Sequence, residues 1–243
     1  MLLRPTFRNL TDSYETWAHR KGLVPRFREL ENRDLIERDP DHPEDRLYRL
    51  TRRGRLQALG GRHPQACWTR KWDGRWRLVL FDVPTTRNSH RVRLRRYLRA
   101  RHFGFLQKSA WVSPDPMDEE AELLAGGNIN VGSLILLEAH PCAGESNEEI
   151  VAGAWDFEEI NNRYLHHLNI VGQKPEAAVG SEVAARAMWR WAAEEHETWL
   201  SAVNMDPLLP QRILPRGYLG QRAWQRRVEA LEKAGRQIRS FKG

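Results

Sequence analysis

A chain of 243 residues can hold one large domain or two to three small ones, and its two cysteines, Cys67 and Cys142, are too few for a disulfide framework. No apolar run approaches the roughly 18 residues that a membrane span needs, and the opening "MLLRPTFRNL" has no signal-peptide core, so a cytoplasmic protein with no membrane partner is expected. The net charge of +7 is unevenly spread: residues 1–110 carry 26 Lys and Arg against 12 Asp and Glu, whereas residues 111–243 carry 13 against 20. A basic front half is a footprint of polyanion binding, and an acidic back half suits sensing or pairing.

Gly, Pro and small residues in "GGRHPQACWTR" (60–70) and "GQKPEAAVGS" (172–181) read as linkers. They divide the chain into 1–65, 66–175 and 176–243. The first segment, "SYETWAHRKGLVPRFRELENRDLIERDPDHPEDRLYRLTRRGRLQAL" (13–59), predicts helix, turn, helix, β-hairpin, helix, the winged-helix order. Leu23, Phe27 and Leu30 mark the buried face of its second helix, which Pro25 can start, and Thr51 is placed to cap the last. On a helical wheel Arg28, Glu29 and Asn32 lie opposite that face, with Arg26 and Arg33 on the flanks. These side chains suit base edges in a major groove: Arg to guanine, Asn to adenine, Glu to the cytosine amino group. Arg52, Arg53 and Arg55 then open a helix beside them, where phosphates would lie.

In the second segment "WRLVLFD" (76–82) predicts a strand, 86–101 a helix, "FLQKSAWVSP" (105–114) a strand, "DEEAELLAG" (118–126) a short helix and "SLILLEAH" (133–140) a strand. The layout points to a ferredoxin-like α/β sandwich, and the whole chain to the α+β class. Along the first helix Arg87, Arg91, Arg95 and Arg99 recur every fourth residue. Like charges at that spacing repel by a few tenths of a kcal/mol per pair. Phosphate contacts would relieve them, as would pairing with the acidic half of the protein. The third segment, with 154–171 before it, is helical. Trp189, Trp191, Trp199 and Trp224 are expected as core or interface fillers, because Glu194, Glu195 and Glu197 among them would repel phosphate.

"YRLTRRG" (48–54), "WDGRWRLVLFDVP" (72–84), "HFGFLQKSAWVSP" (102–114) and "DPLLPQRILPRGYLG" (206–220) together resemble the PaaX-like transcriptional regulators, the family of the repressor of phenylacetic acid catabolism. The resemblance implies an N-terminal winged helix, a central ferredoxin-like dimerisation domain, a C-terminal helical domain, and a dimeric repressor of double-stranded DNA that answers to a small effector such as an acyl-CoA. It implies no cofactor. The family usually has Trp where Tyr218 stands. The N-terminal segment is short, so another segment or subunit is expected to complete its core. Its hairpin tip carries Asp39, Asp41, Glu44 and Asp45, which a minor groove would repel, so wing contacts should come from Arg46 and Arg49.

The middle segment also resembles the small ferredoxin-like CRISPR-associated nuclease, in which a strand ends in a metal-binding Asp. Asp82 stands in that place. Phosphodiester cleavage needs several oxygen ligands on a hard cation, and Asp82 has no acidic neighbour, only Arg87 a few residues on. A helix cap or ion pair is the expected role, with metal-dependent cleavage as the alternative. A third reading is an adaptor whose winged helix meets protein. No Ser-His-Asp or Cys-His arrangement emerges from local spacing, and His166 and His167 are assigned no catalysis.

Overall fold

The computed structural model describes residues 23–38, 48–82, 88–107, 110–117, 133–142, 144–176 and 182–239. Helices are joined by two antiparallel sheets, so the chain is α+β. It gathers into two compact units, one drawn from 1–63, 166–200 and 222–243, the other from 64–165 and 201–221.

In the first unit, α1 (Leu23–Asn32) leads into an antiparallel hairpin of β1 (Ile36–Arg38) and β2 (Tyr48–Leu50), followed by α2 (Arg52–Ala58). Phe27 and Leu30 are half-buried, as their spacing predicts, and Phe27 stacks on Tyr48 with ring centroids 5.0 Å apart. The Leu23 side chain, the helix expected before α1 and the hairpin tip lie outside the described residues. Because residues 166–200 and 222–243 belong to the same unit, another stretch of this chain joins the short N-terminal segment, as its length predicts.

That stretch comes from α6 (Phe157–Gly172), α7 (Glu182–Val203) and α8 (Gly220–Arg239). Ile170, Val171, Met188, Trp191, Ala230 and Ala234 form its core, and the Trp191 indole N–H donates to the Ile170 carbonyl at 2.9 Å. Trp199 is buried and Trp224 half-buried, as fillers should be, but Trp189 is 70% exposed. Glu195 and Arg227 form a buried ion pair at 2.7 Å, with the guanidinium 5.0 Å from the centre of the Trp199 ring. His167 reaches Thr198 Oγ1 at 3.2 Å and lies 3.7 Å from Glu195 Oε1.

The second unit begins with α3 (Pro64–Thr69), in the stretch that composition reads as a linker. Pro64 sits at the first helical position, where its missing N–H costs nothing, and Trp68 is buried. After β3 (Trp76–Asp82) and α4 (Asn88–Ala100), the single strand expected over 105–114 is a hairpin of β4 (Gly104–Gln107) and β5 (Ala110–Ser113), with a register shift between Phe105 and Gln107. The stretch "LQKSA" holds no Gly, Pro, Asn or Asp, and Ser109 alone is a weak turn signal. β6 (Ser133–Ala139) completes an antiparallel sheet ordered β4-β5-β3-β6. The helix expected over 118–126 lies outside the described residues.

One face of this sheet packs on α4: Leu94 and Leu98 join Val79, Phe81, Phe103 and Trp111. On the other, Trp76 and Val112 meet Val151 and Ala154 of α5 (Asn147–Ala154) together with Leu209 and Ile213. A side chain at Gly104 would stand 2.6 Å from the Ala154 Cβ, so only glycine lets β4 come this close to α5. The C-terminal Pro-rich element is fastened here. Buried Asp206 accepts hydrogen bonds from the Tyr164 hydroxyl at 2.6 Å, the Tyr218 hydroxyl and the Leu208 amide at 2.7 Å, while Trp68 donates to the Tyr218 oxygen at 3.1 Å.

Burial first, and then the charge of Arg227, lower His167 from 6.5 to about 4; a hydrogen bond with the Glu195 backbone opposes them, and His166 adds a smaller lowering. The folded protein thus takes up this proton less readily than the unfolded chain. Stability should be insensitive to His167 above about pH 6.5 and fall as pH drops from there toward 4, by about 3 kcal/mol in all at ~1.4 kcal/mol per unit. Glu195, whose carboxyl burial pushes up, acts in the opposite sense, so a variant comparison isolates the imidazole. Urea midpoints measured across this window should decline less steeply in His167→Gln than in the wild type. Equal slopes would show that another group titrates.

Candidate nucleic-acid interface

The surface expected to read DNA is built on one local lock. Asp34, with φ of 54°, ends α1 in the left-handed conformation that Asp tolerates, and the Leu35 amide donates back to the Leu30 carbonyl at 2.9 Å. The Thr51 hydroxyl then joins two helices. It donates to the Asp34 carbonyl at 2.6 Å and accepts the Gly54 amide at 2.9 Å, capping α2 as its sequence position predicts. The Thr51 amide donates to the Leu35 carbonyl at 3.1 Å. An added Cβ at Gly54 would lie 1.8 Å from that same carbonyl oxygen, so glycine is required for α2 to approach the exit of α1. The motif "TRRG" therefore has a division of labour: Thr51 and Gly54 face inward, while Arg52 and Arg53 are exposed.

On α1 the side chains of Arg26, Arg28, Glu29, Asn32 and Arg33 are all exposed, as the helical wheel predicts. Arg33 lies 3.6 Å from Glu29, and across the hairpin Arg49 contacts Glu37 at 2.8 Å, in register. Both pairs are about half exposed, the kind that contributes little to stability and yields readily to another anion. Arg55 hydrogen-bonds the Leu50 carbonyl at 3.0 Å, tying α2 to the end of β2. Arg46 lies outside the described residues.

In the second unit, α4 turns Arg93, Arg96 and Arg99 outward, whereas Arg91 and Arg95 are half-buried beside the apolar face. Of the residues read at every fourth position, Arg91 and Arg95 thus lie along the edge of the buried face, while Arg99 is exposed, 5.9 Å from the centre of the Trp111 ring. Arg87 lies outside the described residues. Asp82 ends β3 exposed, opposite Ser133. Among the described residues no three His, Cys, Asp or Glu side chains are grouped to hold a metal ion, and no helix is long and apolar enough to cross a membrane.

Sequence reasoning missed the arginines that serve the fold. Arg77 is buried against Asp73 and Glu138, and its hydrogen bond, followed by the Arg75 amide, pulls the Asp73 carboxyl down to about 2. Arg70 clasps Asp115 with two hydrogen bonds, at 2.6 and 3.0 Å. The "W-D-G-R-W-R" spacing of Asp73, Arg75 and Arg77 was the available signal.

Residues 69–151 match the PaaX protein central Cas2-like domain, and residues 155–240 match the PaaX-like protein C-terminal domain. The chain belongs to the PaaX-like family, and membership suggests a transcriptional regulator. No curated protein matches it. Among solved structures it is similar to an uncharacterized protein from Mycobacterium tuberculosis, at 19% identity and a TM-score of 0.53, over 92% of this chain and 85% of that one. That likeness is one of fold alone.

Gly54→Ala should force the Leu35 backbone aside and lower stability by about 1–3 kcal/mol, the usual range for overpacking. Thr51→Ala should cost about 1 kcal/mol through loss of the cap, with Thr51→Ser close to the wild type. Thermal unfolding measures all three. Wild-type melting of Gly54→Ala would show that the approach of the two helices is not tight.

Proposed function

We propose that this chain is a sequence-specific regulator of transcription that reads double-stranded DNA through α1. The observation that carries the reading is the exposed arc of Arg28, Glu29 and Asn32, flanked by Arg26 and Arg33, on a helix tied by Thr51 and Gly54 to a hairpin and to Arg52 and Arg53. In a winged-helix arrangement the arc enters the major groove while Arg49, Arg52 and Arg53 meet backbone phosphates. Arg46 belongs with Arg49 at the wing.

The proposed organisation is a winged helix over 1–65, a ferredoxin-like dimerisation domain over 66–175 and a helical domain over 176–243. The strand order β4-β5-β3-β6, with α4 between its first two strands in the chain, supports the middle assignment. A symmetric homodimer would read a palindromic site. The family resemblance adds a small effector, such as an acyl-CoA thioester, that releases DNA. We place the protein in the cytoplasm, where such a regulator meets DNA. Metal-dependent cleavage at Asp82 has no observation in its favour.

Selection of bound duplexes from a random pool should return a two-fold symmetric sequence. Arg28→Ala and Asn32→Ala should each relax one position of that sequence and cost about 1–3 kcal/mol against the selected site. Unchanged preference in both variants would remove α1 as the reader.

A further inference from the structure

Between Val83 and Pro114 the chain carries seven arginines and one lysine and no aspartate or glutamate. α4 lies in that stretch. Its apolar side is spent inside the second unit, where Leu94 and Leu98 have no exposed surface. The remaining arc turns Arg93, Arg96 and Arg99 to the outside, with Arg91 and Arg95 along its edge. Arg96 is three residues from both Arg93 and Arg99, so like charges crowd one helix face.

From this we infer that the outward face of α4 is a second duplex-binding surface, one that contacts DNA phosphates irrespective of sequence. The inference rests on the reading of the chain as a DNA-binding protein, but not on α1 as its reader. The chemistry of the face selects the partner. Guanidinium groups match phosphate oxygens with paired donors, and a row of them separated by one turn of helix tracks a backbone of regularly spaced charge. An anionic membrane would want apolar side chains on the same arc, and Val92 is the one large apolar residue exposed on α4. Single-stranded RNA would want exposed aromatic rings for stacking, and Tyr97 of α4 is half-buried beneath Arg101.

Competition is measured with the full chain on a long duplex of mixed sequence, over a range of salt. In Arg93→Gln/Arg96→Gln/Arg99→Gln the slope of log affinity against log salt should become shallower by about 2 to 3, since each phosphate contact contributes about 0.9. From about 50 to 200 mM salt the wild type should then lose roughly 40-fold more affinity than the variant. The matching Lys variant should keep the wild-type slope. Removing three charges elsewhere, at exposed Arg222, Lys233 and Arg236, should leave the slope unchanged.

An unchanged slope in the α4 variant, with its melting temperature intact, overturns the inference. So does an equal loss in the control variant, which would reduce the effect to net charge. Loss of binding to single-stranded RNA with duplex binding retained would assign the face to RNA and overturn it as well. Failure of the α1 reading has a separate signature: the random pool yields no enriched sequence while the α4 slope difference persists.

Discussion

Everything proposed for the amino-terminal unit depends on one close approach, that of the Gly54 backbone to the Leu35 carbonyl oxygen. A single methyl group there would occupy the space of the carbonyl. This contact, more than any property of the arginines, decides what the surface can do. Base readout requires side chains held to fractions of an ångström, and α1 has only ten residues, too few to be a stable helix by itself. Its geometry must be imposed. Thr51 imposes it by joining the Asp34 carbonyl to the Gly54 amide through one hydroxyl, so that the exit of α1, the root of the hairpin and the start of α2 move as a piece.

The second unit solves a comparable problem with a buried carboxylate. Leu208 has φ of 51°, a conformation costly for a leucine, yet its side chain is fully buried. It is held from both ends: its amide donates to Asp206, and its carbonyl accepts from the Arg70 guanidinium. Asp206 in turn takes the hydroxyls of Tyr164 and Tyr218, so a carboxylate with no exposed surface has its acceptor sites filled. Tyr218 fits this role because its hydroxyl both donates to Asp206 and accepts from Trp68, which an indole N–H in its place could not do.

What could be read beforehand follows from the range of each interaction. The arc of α1, the β1–β2 hairpin, the Thr51 cap and the helix α6 are local patterns, and they appear where the sequence places them. α5 was equally local and was overlooked, although Ser146 and Glu149 form a capping box within "SNEE". The hairpin of β4 and β5 was not legible, since Ser109, a weak turn signal, is the one such residue between them. Nor was the distribution of Trp residues: Trp189 and Trp191 are two apart on α7, and helical geometry sends them to different sides, one 70% exposed and the other buried. The joining of residues 1–63 with 166–200 and 222–243 is a long-range fact that no local periodicity encodes.

The arginines sort by the burial of the carboxylate pairs they make. Arg70 and Arg77, the more buried of them, are each paired with a carboxylate of the same unit and serve the fold. Arg33, Arg49 and Arg75 are paired as well, but exposed. For Arg33 and Arg49, the proposed DNA contacts would exchange one anion for another, and because exposed pairs are worth little the exchange would cost little. In the proposed reader that cost falls on every sequence alike and leaves the difference between right and wrong sequences unchanged, so discrimination would rest on the base contacts proposed for Arg28 and Asn32.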